Sequence, residues 1–420
     1  MKFSTTALAL VLAATSTGAL AQYGSSAPQQ TPSVPAAQAQ QSTEPAKPAV
    51  RPSSKAMKAI VDLQNTVNKN DVANIPAKLA AAKAVATTKE DNFIIGEIAL
   101  KAALAANDTA AAASAIDTIA ASNYLDAAAV AGMYRSLGGT YYNAKDYDHA
   151  AAAYQRAMSI NPNDMQAALQ LGETRNAQGR AGDAVAAFQH AISLASTSGR
   201  KPPEEAYKRA VAIAYNAQLP AATELGRQWA AAYPSAESWR NSIAIFRNQS
   251  HQDVEGTLDL LRLMQAAGAL TTAGDYNLFV ESAADQSNYT EAQAVLNAGL
   301  AAKVLDASNP QVRDEIAALK AKPIATSADL EAATKDATTG TALVRIGDRY
   351  FGLGQYSKAA ELYRQALGKP GVDAATANLH LGMALARSGD KAGAKAALTA
   401  VTGARADVAK FWLAYLQNVG

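Results

Sequence analysis

The feature that most constrains this chain is that it repeats itself. Tyr134, Leu137, Gly138 and Tyr141 follow one another at helical intervals, and so do Ala150, Tyr154 and Ala157 before Pro162 closes the block. Each set therefore lies on one face of a helix. Asn143-Ala144-Lys145-Asp146-Tyr147 makes the turn between the two helices. Thirty-four residues later the pattern returns as Ala168, Leu171, Gly172, Ala184, Phe188 and Ala191. It reappears near the C-terminus as Leu343, Ile346, Gly347, Tyr350, Ala359, Tyr363 and Ala366, and again as Leu381, Gly382, Leu385, Ala394, Leu398 and Val401. The glycine of each copy and the alanine twelve residues after it sit where two antiparallel helices approach closely, and the larger residues fill the grooves between hairpins. A hairpin of this size cannot bury its apolar face alone, so the copies must stack into an array.

Composition agrees with a stack of helices. Alanine makes up roughly a quarter of the 420 residues, whereas aromatics contribute only 6%. Alanine is the strongest helix former, and β-branched and aromatic residues are too sparse for an extensive sheet. The 38 basic and 36 acidic residues leave a formal charge of +2, which offers no broad field for nucleic acid. Cysteine is absent, which removes disulfides, thiolate metal sites and thiol nucleophiles together.

The repeated residues resemble the tetratricopeptide repeat. The likeness is close over 131–196 and 341–402 and weakens over 197–340. There Ala210, Ile213, Ala222, Trp229 and Pro234 hold one register and Val280, Ala283, Ala292, Leu296 and Gly299 another, with Trp239, Ile243 and Phe246 suggesting a hairpin between them. The gap from Val280 to Gly347 leaves room for one more hairpin, with helices expected around 309–322 and 326–338. Residues 55–130 read as Ala-rich hairpins with the same face logic, giving about ten hairpins in all. In the tail, 403–420, Phe411, Trp412 and Tyr415 share a face, as in a capping helix that closes the exposed end of the stack. The resemblance implies an all-α fold, an α-solenoid in which helix hairpins wind into a right-handed superhelix.

It also implies a concave surface, lined by the first helix of each hairpin, that holds an extended peptide or a partner helix. The side chains expected there are Arg135, Ser136, Tyr142 and Asn143, then Gln166, Gln170, Glu173 and Asn176, and in the C-terminal pair Arg345, Asp348, Phe351 and Arg387. Amides pair with extended backbone, arginine with carboxylate and aromatic rings with apolar side chains, so the mixture suits a polypeptide. The family's carboxylate clamp wants Lys and Asn at the fifth and ninth repeat positions. Arg135 and Gly139, then Leu169 and Glu173, stand there instead, so that mode of tail capture is not indicated.

No catalytic constellation emerges. His149, His190, His251 and His380 form no ligand pair and read as surface or partly buried residues. Gly352-Leu353-Gly354 follows a helix and not a strand, so it reads as a helix stop. No enzyme activity, cofactor or metal is therefore expected. An alternative function, binding carbohydrate or assisting polysaccharide processing, would use Tyr142, Trp229, Trp239, Phe351 and Trp412 as stacking faces.

The N-terminus supplies a destination. Lys2, the apolar run Ala7 to Ala14 and Ala19-Leu20-Ala21 read as a cleavable signal peptide with a mature start at Gln22. Residues 22–54 read as a disordered linker rich in Pro, Gln and Ala. No cysteine is available to carry a lipid, and no later run is apolar enough to span a bilayer. The expected product is periplasmic or secreted, with no stable membrane insertion after cleavage, and it partners with protein or peptide and not with nucleic acid.

Overall fold

A computed structural model describes residues 50–419, so the signal-like segment and the linker up to residue 49 lie outside the described residues. The described residues form two compact units, the first ending at Pro202 and the second starting at Pro203. Among the described residues are 21 α-helices and no strand, an all-α solenoid architecture.

The first unit holds α1 (Met57–Asn68), α2 (Ile75–Val85), α3 (Lys89–Ala105), α4 (Thr109–Ala121), α5 (Ala127–Asn143), α6 (Tyr147–Ile160), α7 (Met165–Ala177) and α8 (Ala181–Thr197). Short acceptor side chains start most of them. Asp108, Asp126, Asp146 and Asp164 each cap a helix by accepting from a backbone N–H two residues inside it. Thr88 and Asp91 form a reciprocal capping box at α3. Asp91 also accepts from the backbone and hydroxyl of Ser53 at 2.7 and 2.8 Å, and Val50 and Pro52 are buried. The linker, read from the sequence as running to residue 54, therefore gives way to held chain by residue 50, because a buried carboxylate needs those donors.

Close contact explains the repeated small residues. A Cβ built on Gly138 would lie 2.6 Å from the ring of Tyr154, and one on Gly172 would lie 2.8 Å from Phe188. The same relation recurs in the second unit between Gly347 and Tyr363 and between Gly382 and Leu398. Ala150, Ala184, Ala359 and Ala394 are wholly buried. Only a residue without bulk lets the two helices of a hairpin meet with a ring laid between them.

The second unit holds α9 (Glu204–Asn216), α10 (Ala221–Ala232), α11 (Ala236–Ser250), α12 (Val254–Ala266), α13 (Ala273–Asp285), α14 (Tyr289–Ala301), α15 (Pro310–Lys320), α16 (Ser327–Asp336), α17 (Gly340–Gly352), α18 (Tyr356–Ala366), α19 (Ala374–Ser388), α20 (Lys391–Thr399) and α21 (Ala406–Leu416). Gly354, with φ of +74°, makes the left-handed turn after α17 that a helix stop requires.

Two elements depart from a plain stack. The hairpin expected between Val280 and Gly347 does form two helices, α15 and α16, but they bury only Val312, Leu319 and Leu330. α14 instead meets α17 directly: Asn288 Nδ2 donates to the Asp348 carbonyl at 3.0 Å, and Gly352 lies against Glu291. The inserted pair has too little apolar surface to displace that contact. The C-terminal helix α21 also does more than close an end. It packs on the helices just before it and on α10 and α12. Trp412 Nε1 donates to the Asp259 carbonyl at 3.3 Å, the Tyr415 hydroxyl to that of Ala266 at 3.2 Å, and Phe411 lies 5.2 Å from Phe246, ring to ring. Arg405 fixes the approach through Asp253 and Glu255 at 2.7 and 2.6 Å. Phe411 and Trp412 are wholly buried as a result.

Candidate functional site

In the first unit the expected binding residues lie on α5 and α7. Arg135 is engaged within the fold: its Nη1 donates to both carboxylate oxygens of Asp164, at 2.7 and 3.0 Å, and Asp164 in turn caps α7 through the Ala167 N–H. Ser136 is half-buried and donates to the Gly132 carbonyl. Tyr142 is half-buried and tilts against Tyr147, ring centres 5.4 Å apart. Asn143 and Gln166 are exposed, and Gln170, Glu173 and Asn176 are half-buried. Gln170 Oε1 is buried with no hydrogen-bond partner among the described residues.

In the second unit the sequence-predicted residues separate. Arg345 and Asp348 line a cavity of about 610 Å³ walled by α12, the turn at 285–288, α17 and α19. Phe351, expected on the open face, is 5% exposed and belongs to the core: the Arg262 guanidinium sits 4.9 Å from its ring centre and Tyr356 meets it edge-on. Arg387 stacks on Tyr356 and donates to its hydroxyl at 2.9 Å. Trp229, Trp239 and Trp412 are buried as well, so of the five rings considered for carbohydrate stacking only Tyr142 reaches solvent.

The cavity floor is a buried ionic cluster. Arg262, 2% exposed, donates from Nε and Nη2 to the two oxygens of Glu291, at 2.8 and 2.7 Å, and from Nη1 to Asp259 at 3.0 Å. His380, expected at or near the surface, is 1% exposed. The apolar residues around it, Leu379, Leu381 and Met383, carry it inward. Its Nε2 lies 3.2 Å from one oxygen of Asp259, and its Nδ1 forms an ion pair with Asp348 at 2.8 Å without good hydrogen-bond alignment. Asp348 also accepts from the Tyr363 hydroxyl at 2.7 Å.

Burial opposes charge on His380, but Asp348 and Asp259 outweigh it and raise the imidazole to about 10. Burial likewise pushes Asp348 up, and His380 and Arg262 overcome it and hold the carboxyl below its usual range. Both groups are thus charged at neutral pH. Sequence reasoning missed Asp259, Arg262, Asn288, Glu291 and His380. The available signal was charge inside an apolar run, as in Leu258-Asp259-Leu260-Leu261-Arg262-Leu263-Met264, since a buried ion survives only with a partner.

Stacked hairpins with a ring laid over a glycine sixteen residues earlier define a helical-repeat protein of the solenoid class. The particular repeat is the tetratricopeptide repeat: family models of that description match residues 131–164 and 344–415, so the chain carries tetratricopeptide repeats in those two segments. A comparison with curated proteins gives no match.

Solved structures with a similar chain path include Pseudomonas aeruginosa pilF, at 12% identity and a TM-score of 0.24, covering 55% of this chain and 90% of that one. A tetratricopeptide repeat protein from Parabacteroides merdae is 11% identical with a TM-score of 0.24, covering 79% and 100%. Naa15/Naa10 bound to HypK-THB gives 14% and 0.35, covering 83% and 63%.

Proposed function

We propose that this protein is an exported, non-catalytic scaffold that binds a protein or peptide partner of the cell envelope along the face formed by the first helices of its hairpins. Tetratricopeptide repeats form protein-interaction scaffolds, and export rests on the Lys2, Ala7 to Ala14 and Ala19-Leu20-Ala21 pattern. The observation that carries the reading is the mixed polar cavity on α12, α17 and α19, where Arg345 and Arg349 line a wall and Asp285, Asp348 and Asp373 stand among them. Charge of both signs beside amides and hydroxyls suits a polypeptide better than a uniformly charged polymer. Burial of Trp229, Trp239 and Trp412 leaves no row of rings for a sugar to stack on.

The test is a photo-crosslinking residue placed in the native host at Arg345 or Gln166, with exposed His190 on α8 as the control. Capture of the same envelope protein from the first two positions and not from the control supports the reading. No capture, or equal capture from all three, refutes it.

A further inference from the structure

The chain between α14 and α17 is pinned at both ends and lightly held between them. At the first root Leu305 turns back on α14: its N–H donates to the Gly299 carbonyl at 3.1 Å, and a Cβ on Gly299 would lie 2.7 Å from its side chain. At the second root the Gly340 N–H donates to the Pro370 carbonyl at 2.9 Å, and a Cβ on Gly340 would lie 2.6 Å from Val372. Between these roots, residues 306–339 bury only Val312, Leu319 and Leu330.

The two helices of this segment do not support each other as the helices of a repeat do. α15 packs on α14 and α16 on α17, with little contact between the two. The polar ties are few and lie near the surface. Gln355 Nε2 donates to Ser327 Oγ at 3.0 Å, Lys358 and Glu331 pair at 3.2 Å with both side chains about half exposed, and Lys322 Nζ stands 5.1 Å from the Tyr289 ring centre. Exposed pairs of this kind stabilise little. Three buried side chains leave little surplus over the entropy of ordering so long a segment.

A second, independent observation concerns charge on α15. Glu315 accepts from Gln311 Nε2 at 3.2 Å through Oε1, but its Oε2 is buried with no hydrogen-bond partner among the described residues. The charge that acts on it is a like one, the Glu281 carboxylate on α13, and α14 presents it no base. Burial pushes the Glu315 carboxyl up, and Glu281 adds to that rise. Docking α15 therefore costs a desolvated carboxylate oxygen and a repulsion, and detaching it relieves both.

The repeats do not depend on this segment for their own contact. Asn288 Nδ2 reaches the Asp348 carbonyl at 3.0 Å, and Gly352 lies against the backbone of Glu291, so α14 and α17 meet directly.

We infer that residues 306–339 form a detachable strap, which leaves α14 and α17 while its roots at Leu305 and Gly340 and the repeats beneath stay closed, and that Glu315 facing Glu281 loosens it. Detachment bares Val312, Ile316 and Leu319, which share one face of α15, and keeps the α12, α17 and α19 cavity intact.

The experiment is native-state hydrogen exchange of the full chain, read peptide by peptide by mass spectrometry. Relative to their intrinsic rates, amides of α15 and α16 are expected to exchange about a hundredfold or more faster than those of α14 and α17. Glu315→Gln removes the repulsion and should slow exchange in α15 about threefold. Protection in α15 and α16 equal to that of α14 and α17 overturns the strap, and unchanged or faster exchange in Glu315→Gln overturns the role of the carboxylate pair.

A second measurement needs no variant. Brief trypsin treatment should cut after Lys320, and the two fragments should elute as one particle whose melting temperature lies within about 3 °C of the intact chain. Fragments that separate, or a nicked chain that melts far earlier, would mean that the segment holds the unit together and is no strap.

Discussion

Arg262 and Glu291, 29 residues apart, face each other through two parallel hydrogen bonds at 2.8 and 2.7 Å, with both side chains almost wholly out of water. Such a pair stabilises little in itself, because desolvation offsets the attraction, but stranding one partner is severe. Arg262→Met should therefore cost roughly 3–5 kcal/mol, leaving Asp259, Glu291 and Asp348 with one cation. Arg262→Met combined with Glu291→Leu should recover part of that loss. Urea denaturation of the single and double variants tests this, and a double variant no more stable than the single would count against the cluster as described.

His380 makes the second unit sensitive to alkali. Its folded pKa of about 10 stands above the ordinary 6.5, so folding favours the protonated ring. That contribution is complete below pH 6.5 and is lost as pH rises toward 10. Melting temperatures measured at pH 6, 8 and 10 should fall more steeply for the native chain than for His380→Gln. Parallel curves would mean that the imidazole is neutral in the fold.

Glu97 on α3 titrates with the opposite consequence. Burial pushes its carboxyl up to about 7, from an ordinary 4.5. The unfolded chain gives up this proton first, so stability falls as pH climbs from 4.5 to 7 and then levels off. Glu97→Gln should stabilise the protein at pH 8 by up to about 2–3 kcal/mol and have no effect near pH 4. Thermal melts at the two pH values decide the matter.

Arg135 is a contributor to stability as well as a candidate contact. Its ion pair to the nearly buried Asp164 joins α5 to the start of α7, and the arginine itself is about a third exposed, so Arg135→Gln should cost only about 1 kcal/mol. A melting shift near zero would return Arg135 to the open face.

The glycine beneath each ring can be tested directly. Gly138→Leu drives side-chain atoms into Tyr154, and Ala150→Leu overfills a wholly buried site. Each should destabilise by about 1–3 kcal/mol. Ala181→Leu, at the half-buried first position of α8, should cost much less. Equal shifts for all three would remove the register.

The helix hairpins, their period and their inward faces are legible in the local pattern of residues. The contact that dictates a glycine at position 138 lies only sixteen residues away at Tyr154, and the same short-range contact recurs in every clear copy. Contacts between residues far apart along the chain are visible in the fold alone. Trp412 reaches the Asp259 carbonyl across 153 residues, and His380 reaches the Asp259 carboxylate across 121. No local period records such pairings. A charged residue in an apolar run announces that a partner must exist, because an unpaired buried ion would not be tolerated, but only the folded chain shows which residue that partner is.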